Sequence, residues 1–227
     1  MRSPMIGRRD LLMGGMGFAG MAFLPQPAPS AVPASGQLDF RARRNGDQIG
    51  WHRLRFAEQD DRLVVEIEIE LEVRFLIFPV YSYRHTNREV WRGDRLLALE
   101  SRTDDNGTRH RVAARAEGER LLVDGTAGRL ELPPDTLPTS YWHEATVERG
   151  EWLDTQSGRL VRSTVMPRGP EPITARGREV QAERYTLSGE LECELWYHDG
   201  SWAKLRFAAT DGSTIDYLLE PRDEMGG

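Results

Sequence analysis

The sequence predicts an all-β protein, a strongly curved antiparallel sheet forming an open or closed barrel with a short helical plug. The first observation behind this is the stretch Val65 to Phe75. Apolar residues (Val65, Ile67, Ile69, Leu71, Val73, Phe75) alternate there with charged ones (Glu66, Glu68, Glu70, Glu72, Arg74). A period of two sends the two sets to opposite faces of a strand, so one face is core and the other is wet. At ~3.3 Å per residue the strand runs ~35 Å, about twice the ordinary length, which requires a large curved sheet. The second observation is a steady cadence of Gly-containing turns between apolar runs. The third is that only Leu132 to Val147 breaks that cadence.

Taken in order, residues 1–35 are a leader to be set aside before the fold is considered. Arg8 and Arg9 precede a Gly- and Met-rich apolar run, Leu11 to Leu24, too short to span a bilayer comfortably. That is the pattern of a twin-arginine export signal, with an ordinary secretory signal behind a chance Arg pair as the alternative. Cleavage fits after Ala22 or Ala34, and Pro25 to Ser35 is expected to be a disordered linker. A single barrel-like domain is expected over 36–222 and a disordered tail over 223–227. The expected location is the periplasm, and the export machinery is the one partner the leader names.

The domain opens as a meander. A strand at Leu38 to Ala42 and another at Ile49 to Phe56 flank Asn45-Gly46, a strong hairpin signal, and a turn at Glu58 to Asp61 feeds the long strand. Pro79 bends or ends that strand, after which Tyr81, Tyr83 and His85 share an alternating face leading to Glu89 and Trp91. A Trp stands before a turn and a new strand three times, at Trp91, Trp152 and Trp196. Further turns are expected at Asp104 to Gly107, Glu117-Gly118, Asp124-Gly125, Arg168-Gly169-Pro170, Arg176-Gly177 and Asp211-Gly212. The break LPPDTLPTSYWHEATV is expected to be a loop closing one end of the sheet. Thr139 or Ser140 would cap one or two helical turns through Trp142, His143 and Glu144.

Composition bounds the partners. Of 227 residues, 29% are charged and 39% hydrophobic, ordinary values for a soluble domain; the formal charge of -6 lacks the basic field that nucleic acid or an anionic membrane requires. Cys193 is the single cysteine, cannot form an internal disulfide, and lies in line with Leu191, Leu195 and Tyr197 as a small buried hydrophobe.

The chain resembles a bacterial exported family known only as a domain of unknown function. The residues that carry this are Asn45-Gly46 to Ile49-Gly50, Tyr83 with His85, Glu89-Val90-Trp91, Ser101 through Thr103 to Gly107, Pro138 to Trp142, Leu153 to Gly158 and Leu195-Trp196-Tyr197. The resemblance spans nearly the whole mature chain and implies an all-β fold without an activity. A looser, fold-level similarity is to LolA-type periplasmic lipoprotein carriers, whose open barrel cups an acyl chain; it rests on the C-terminal Trp-Tyr strand and the inferred topology.

No motif names a chemistry. Ser140, His143 and Asp154 compose a triad only on paper, since no Gly-x-Ser-x-Gly elbow is present. His52, His85, His110, His143 and His198 show no metal-ligand spacing, and Asp104 to Gly107 lacks the closing Glu of a calcium loop, so neither metal nor cofactor is expected. The aromatic set Tyr81, Tyr83, Trp91, Tyr141 and Trp142 either packs as core and hairpin anchors or lines a pocket beneath the Pro-rich segment. The leading expectation is therefore non-enzymatic binding of a lipid or other apolar or amphipathic molecule in the concave face. The alternative is an envelope structural or interaction protein with a filled core, and an enzyme comes third.

Overall fold

A computed structural model describes residues 32–33, 35–76 and 78–221. The export signal and the C-terminal tail expected from the sequence thus lie outside the described residues, apart from the end of the linker. One 15-stranded sheet contains the strands β1 (Gln37–Arg44), β2 (Asp47–Gln59), β3 (Arg62–Phe75), β4 (Phe78–Arg92), β5 (Arg95–Asp105), β6 (Thr108–Glu117), β7 (Arg120–Gly125), β8 (Gly128–Leu132), β9 (Leu137–Pro138), β10 (Glu151–Leu153), β11 (Leu160–Ala175), β12 (Arg178–Gly189), β13 (Cys193–His198), β14 (Ser201–Ala208) and β15 (Thr214–Leu219). The spatial order runs from β8 back through β1, then from β15 back to β9, and among the described residues no ladder joins β8 to β9. Two meanders are joined where β1 pairs with β15. Among the described residues the one parallel pair is β9 with β10.

The long strand is stable because its wet face is matched across the sheet. Glu66 and Glu68 of β3 face Arg55 and Arg53 of β2, and Glu66 and Glu70 face Arg88 and Arg84 of β4. Opposite charges directly across a ladder contribute roughly 0.2–1 kcal/mol each, so the arginines beside Glu66, Glu68 and Glu70 offset the repulsion along the row of glutamates. On the other face Val65 and Ile67 are buried and join Leu38, Phe40 and Leu54 in the core.

Three expectations need correction. Arg168-Gly169-Pro170 is no turn: β11 runs straight through it with a register shift between Pro167 and Gly169. Past Arg162, β11 pairs with β12 alone, and such an open edge accepts the prolines that an interior strand excludes. The helix begins later than expected. It is a 3₁₀ turn, Glu144–Glu148, capped by the His143 ring accepting from Ala145 N, because Ser140 is engaged elsewhere. The end of the linker is packed rather than loose: Pro33 is buried, its carbonyl accepts from Gly36 N at 2.8 Å, and Arg176 donates to Ser35 Oγ at 3.3 Å.

Residues 133–158 fill the concave side of the sheet. At the far end of this plug the turn 154–158 abuts the turn between β7 and β8. A Cβ on Gly125 would lie 2.6 Å from the Ser157 carbonyl, so the two glycines, Gly125 and Gly158, permit a backbone approach that any side chain would block. Ala127 N donates to Ser157 O at 2.9 Å across the same contact.

Candidate functional site

An irregular segment inside a barrel carries backbone carbonyls that no ladder satisfies, so the surrounding wall must supply donors. Strand β4 supplies much of that wall. Its inward positions read Tyr81, Tyr83, His85, Asn87, Glu89 and Trp91, a polar row on the face where β3 is aliphatic.

Glu89 sits at the centre and is fully buried. Its Oε2 accepts from Trp91 Nε1 and from Trp142 Nε1, both at 2.9 Å, and its Oε1 accepts from Asn87 Nδ2 at 2.8 Å; Ser140 adds a further bond. Burial raises its pKa, and the donors, Trp142 and Trp91 first, oppose that rise. The two indoles meet edge to face at 5.3 Å, and Phe56 meets Trp142 at 5.4 Å. One carboxyl thus ties the wall to the plug.

The same logic repeats along the plug. Ser101 Oγ donates to the Thr155 carbonyl at 2.5 Å, Tyr197 OH to the Tyr141 carbonyl at 2.7 Å, and Trp152 Nε1 to the Thr146 carbonyl at 3.1 Å. Tyr83 OH donates to Gln156 Oε1 at 3.1 Å, while Gln156 Nε2 and Tyr81 OH both donate to Asp105, at 3.3 and 2.9 Å. Burial raises the pKa of Tyr81, Tyr83 and Tyr141, with Asp105 adding to the effect at Tyr81, so all three phenols keep their protons. Tyr141, whose carbonyl accepts from Tyr197, adopts a left-handed φ of 62°.

The register also unites histidines that are far apart in sequence. Phe40, His52, Ile69, His85, Thr103 and His110 face one another in turn across β1 to β6, placing three imidazoles on one level of the inner wall. His85 Nδ1 lies 2.8 Å from Thr103 Oγ1, and burial lowers its pKa to about 4 against the pull of Asp154. His52 lies among Phe40, Trp202 and Tyr217, neither ring nitrogen has a hydrogen-bond partner, and burial with His85 nearby lowers its pKa to about 3. Among the described residues no three His, Cys, Asp or Glu side chains converge at metal-ligand spacing.

The five aromatic residues singled out from the sequence do share the interior. Trp91 and Trp142 are fully buried against each other, Tyr141 packs on Trp202 at 5.9 Å, Tyr83 holds the turn at 154–158 by its bond to Gln156, and Tyr81 bonds Asp105, which accepts from the same Gln156. They act as plug anchors, and of the five Trp142 borders a solvent-facing cavity. That opening, about 700 Å³, lies at the rim carrying the turns after β2 and β4. Its floor is Val32, Leu63, Trp142 and Ala145 and its rim is largely acidic, with Glu58, Asp61, Asp94 and Glu148. The paper triad dissolves: Ser140 bonds Glu89, His143 Nε2 lies 3.4 Å from Asp94, and Asp154 accepts from Gln156 N and Ser157 N. Asp104 accepts from Gly107 N at 2.8 Å as an ordinary turn, and the buried Cys193 thiol is pushed up to about 12 by burial, which makes it unreactive at neutral pH.

Sequence reasoning missed the central role of Glu89. The signal was there: a carboxylate on the inward set of an alternating strand, between Asn87 and Trp91, violates the apolar rule for that face.

A family model described as a domain of unknown function (DUF6134) matches residues 40–220. No curated protein matches. Among solved structures, the crystal structure of a beta-barrel-like protein of domain of unknown function DUF1849 from Brucella abortus is similar, with a TM-score of 0.58. It is 10% identical, and the match covers 82% of this chain and 95% of that one. At that identity the likeness concerns the fold alone.

Proposed function

This chain belongs to the family described as a domain of unknown function (DUF6134), and because that membership brings no activity with it, we propose from geometry that the protein is an exported, non-catalytic envelope protein whose barrel interior is filled by its own chain. One observation carries this reading: Glu89 binds Trp91 of the wall and Trp142 of the plug together, which holds the chain's own segment across the concave face. On the inner wall Glu89, Tyr83 and His85, whose pKa values are shifted, are each engaged by the plug or by a neighbouring wall residue, so they act as structural partners. An active site would leave at least one such group open to substrate. The twin-arginine pattern of the leader supports the same reading, since that route carries proteins already folded around their plug. Native mass spectrometry of protein purified from its own periplasm tests it. The bare chain mass is the expected result, and a stoichiometric lipid or small molecule would overturn it.

A second reading has its own support. The opening floored by Trp142 has a size and an apolar-floor, polar-rim make-up that suit a small amphipathic molecule, in keeping with the carrier-like resemblance of the sequence. A retained ligand displaced by Trp142→Ala would select this reading.

A further inference from the structure

The hairpin between β3 and β4 is built unlike the others. β3 runs four residues past its last pairing with β2, at Leu71, and β4 begins five residues before its first pairing with β5, at Tyr83. The ribbon therefore runs on by itself for ~13 Å past its last pairings with β2 and β5, at ~3.3 Å per residue. At its end Leu76 is 81% exposed, Phe78 65% and Val80 55%, while other turns at that rim, Asn45-Gly46, Asn106-Gly107 and Asp211-Gly212, are polar. Leu76 holds a positive φ of 57°, a conformation that Asn45 and Asn106 occupy in those other hairpins and that disfavours leucine. A large apolar side chain is thus kept at the outermost point against its local preference.

We propose that this hairpin tip inserts into the headgroup and acyl boundary of a lipid bilayer. From Phe75 to Tyr83 the chain carries no charge, in a protein that is 29% charged. Exposed ion pairs, Arg74 with Glu72 and, further back along the ribbon, Arg84 with Glu70, stand behind that stretch. An apolar end backed by charged residues is the order in which a peripheral anchor meets a membrane. The shape favours lipid over protein: exposed apolar side chains at the end of a narrow ribbon offer no broad face for a partner to cover, and Pro79 blunts the ribbon edge against strand addition. Because the formal charge is -6, insertion depends on the apolar tip and not on anionic lipid. The inference is independent of what fills the barrel.

The full chain is mixed with phosphatidylcholine vesicles and sedimented, beside Leu76→Asn/Phe78→Ser/Val80→Thr. The wild type is expected to sediment with the vesicles, with little change between 0.05 and 0.5 M salt by the ~10 Å screening scale, and the triple variant to partition at least about 10-fold more weakly. Leu76→Trp adds a readout at the tip itself: its fluorescence over the wild-type background should shift to the blue on vesicle addition and be quenched by brominated phosphatidylcholine. Equal partitioning of wild type and triple variant, no blue shift in the Leu76→Trp protein, or wild-type self-association without lipid that the triple variant lacks would each overturn the proposal.

Discussion

The inner wall has two halves built on different physics. From β1 to β3 and across β13 to β15 it is mostly hydrocarbon: Leu38, Phe40, Leu54, Val65, Ile67, Leu195 and Leu205 are buried against one another. On β4 and β5 it is polar, with His85, Asn87, Glu89, Ser101 and Thr103 all buried. The difference follows from what each half faces. A strand face that meets other side chains needs only shape and apolar area, whereas a face that meets an irregular segment must also satisfy that segment's backbone. Two polar side chains stand in the hydrocarbon half: Tyr197, which reaches the Tyr141 carbonyl of the plug, and His52, whose ring nitrogens have no partner.

The sharpest test places a charge in one half and removes one from the other. Leu54→Asp puts a carboxylate between Leu38 and Ile67, and Glu89→Ala strands two indole N–H groups and an amide. Each is expected to cost about 3–5 kcal/mol in urea melts, but only the second should be repaired by a polar isostere. Glu89→Gln keeps an acceptor and should recover most of the loss; a Gln variant as unstable as the Ala variant would mean that the wall does not depend on these bonds.

Acid should separate the halves next. His52 and His85 have folded pKa values of about 3 and about 4, below the ordinary 6.5, so their neutral forms stabilise the fold fully above pH 6.5. As pH falls below that value the unfolded chain takes up protons that the folded chain refuses, and stability drops by up to about 1.4 kcal/mol per unit for each ring. A loss of about 4 kcal/mol by pH 5 is expected from the two rings together. His52→Phe should halve the slope and raise stability at pH 7 by about 1 kcal/mol, since no partner is left behind. Glu89 acts in the opposite sense: a raised carboxyl pKa gives stability that declines as pH rises through it, and Glu89→Gln should remove that trend.

Smaller effects complete the contrast. Ser101→Ala leaves the Thr155 carbonyl buried without a donor and is expected to cost about 1–3 kcal/mol, measured as a shift in the denaturation midpoint. Glu68→Lys on the outer face of β3 meets Arg53 on one side and Thr86 on the other, and should cost under about 1 kcal/mol. A loss as large as that of Leu54→Asp would mean the wet face had been assigned to the wrong side of the strand.

What the sequence determined by itself is the class of the fold, the long strand with its core and wet faces, and most of the turns, from Asn45-Gly46 to Asp211-Gly212. These are local matters of period-two alternation and of residues that accept a left-handed backbone, legible within a window of a few positions. The tertiary structure decided which inward residues meet. Glu89 and Trp142 are 53 residues apart, Ser101 and Thr155 54, and Tyr83 and Gln156 73, so no window contains both partners. The three-imidazole level of the wall likewise exists only through the register of six strands. Alternation says that a side chain points inward; whether it finds hydrocarbon, a hydrogen bond or a cavity there depends on where the curvature of the sheet brings the rest of the chain.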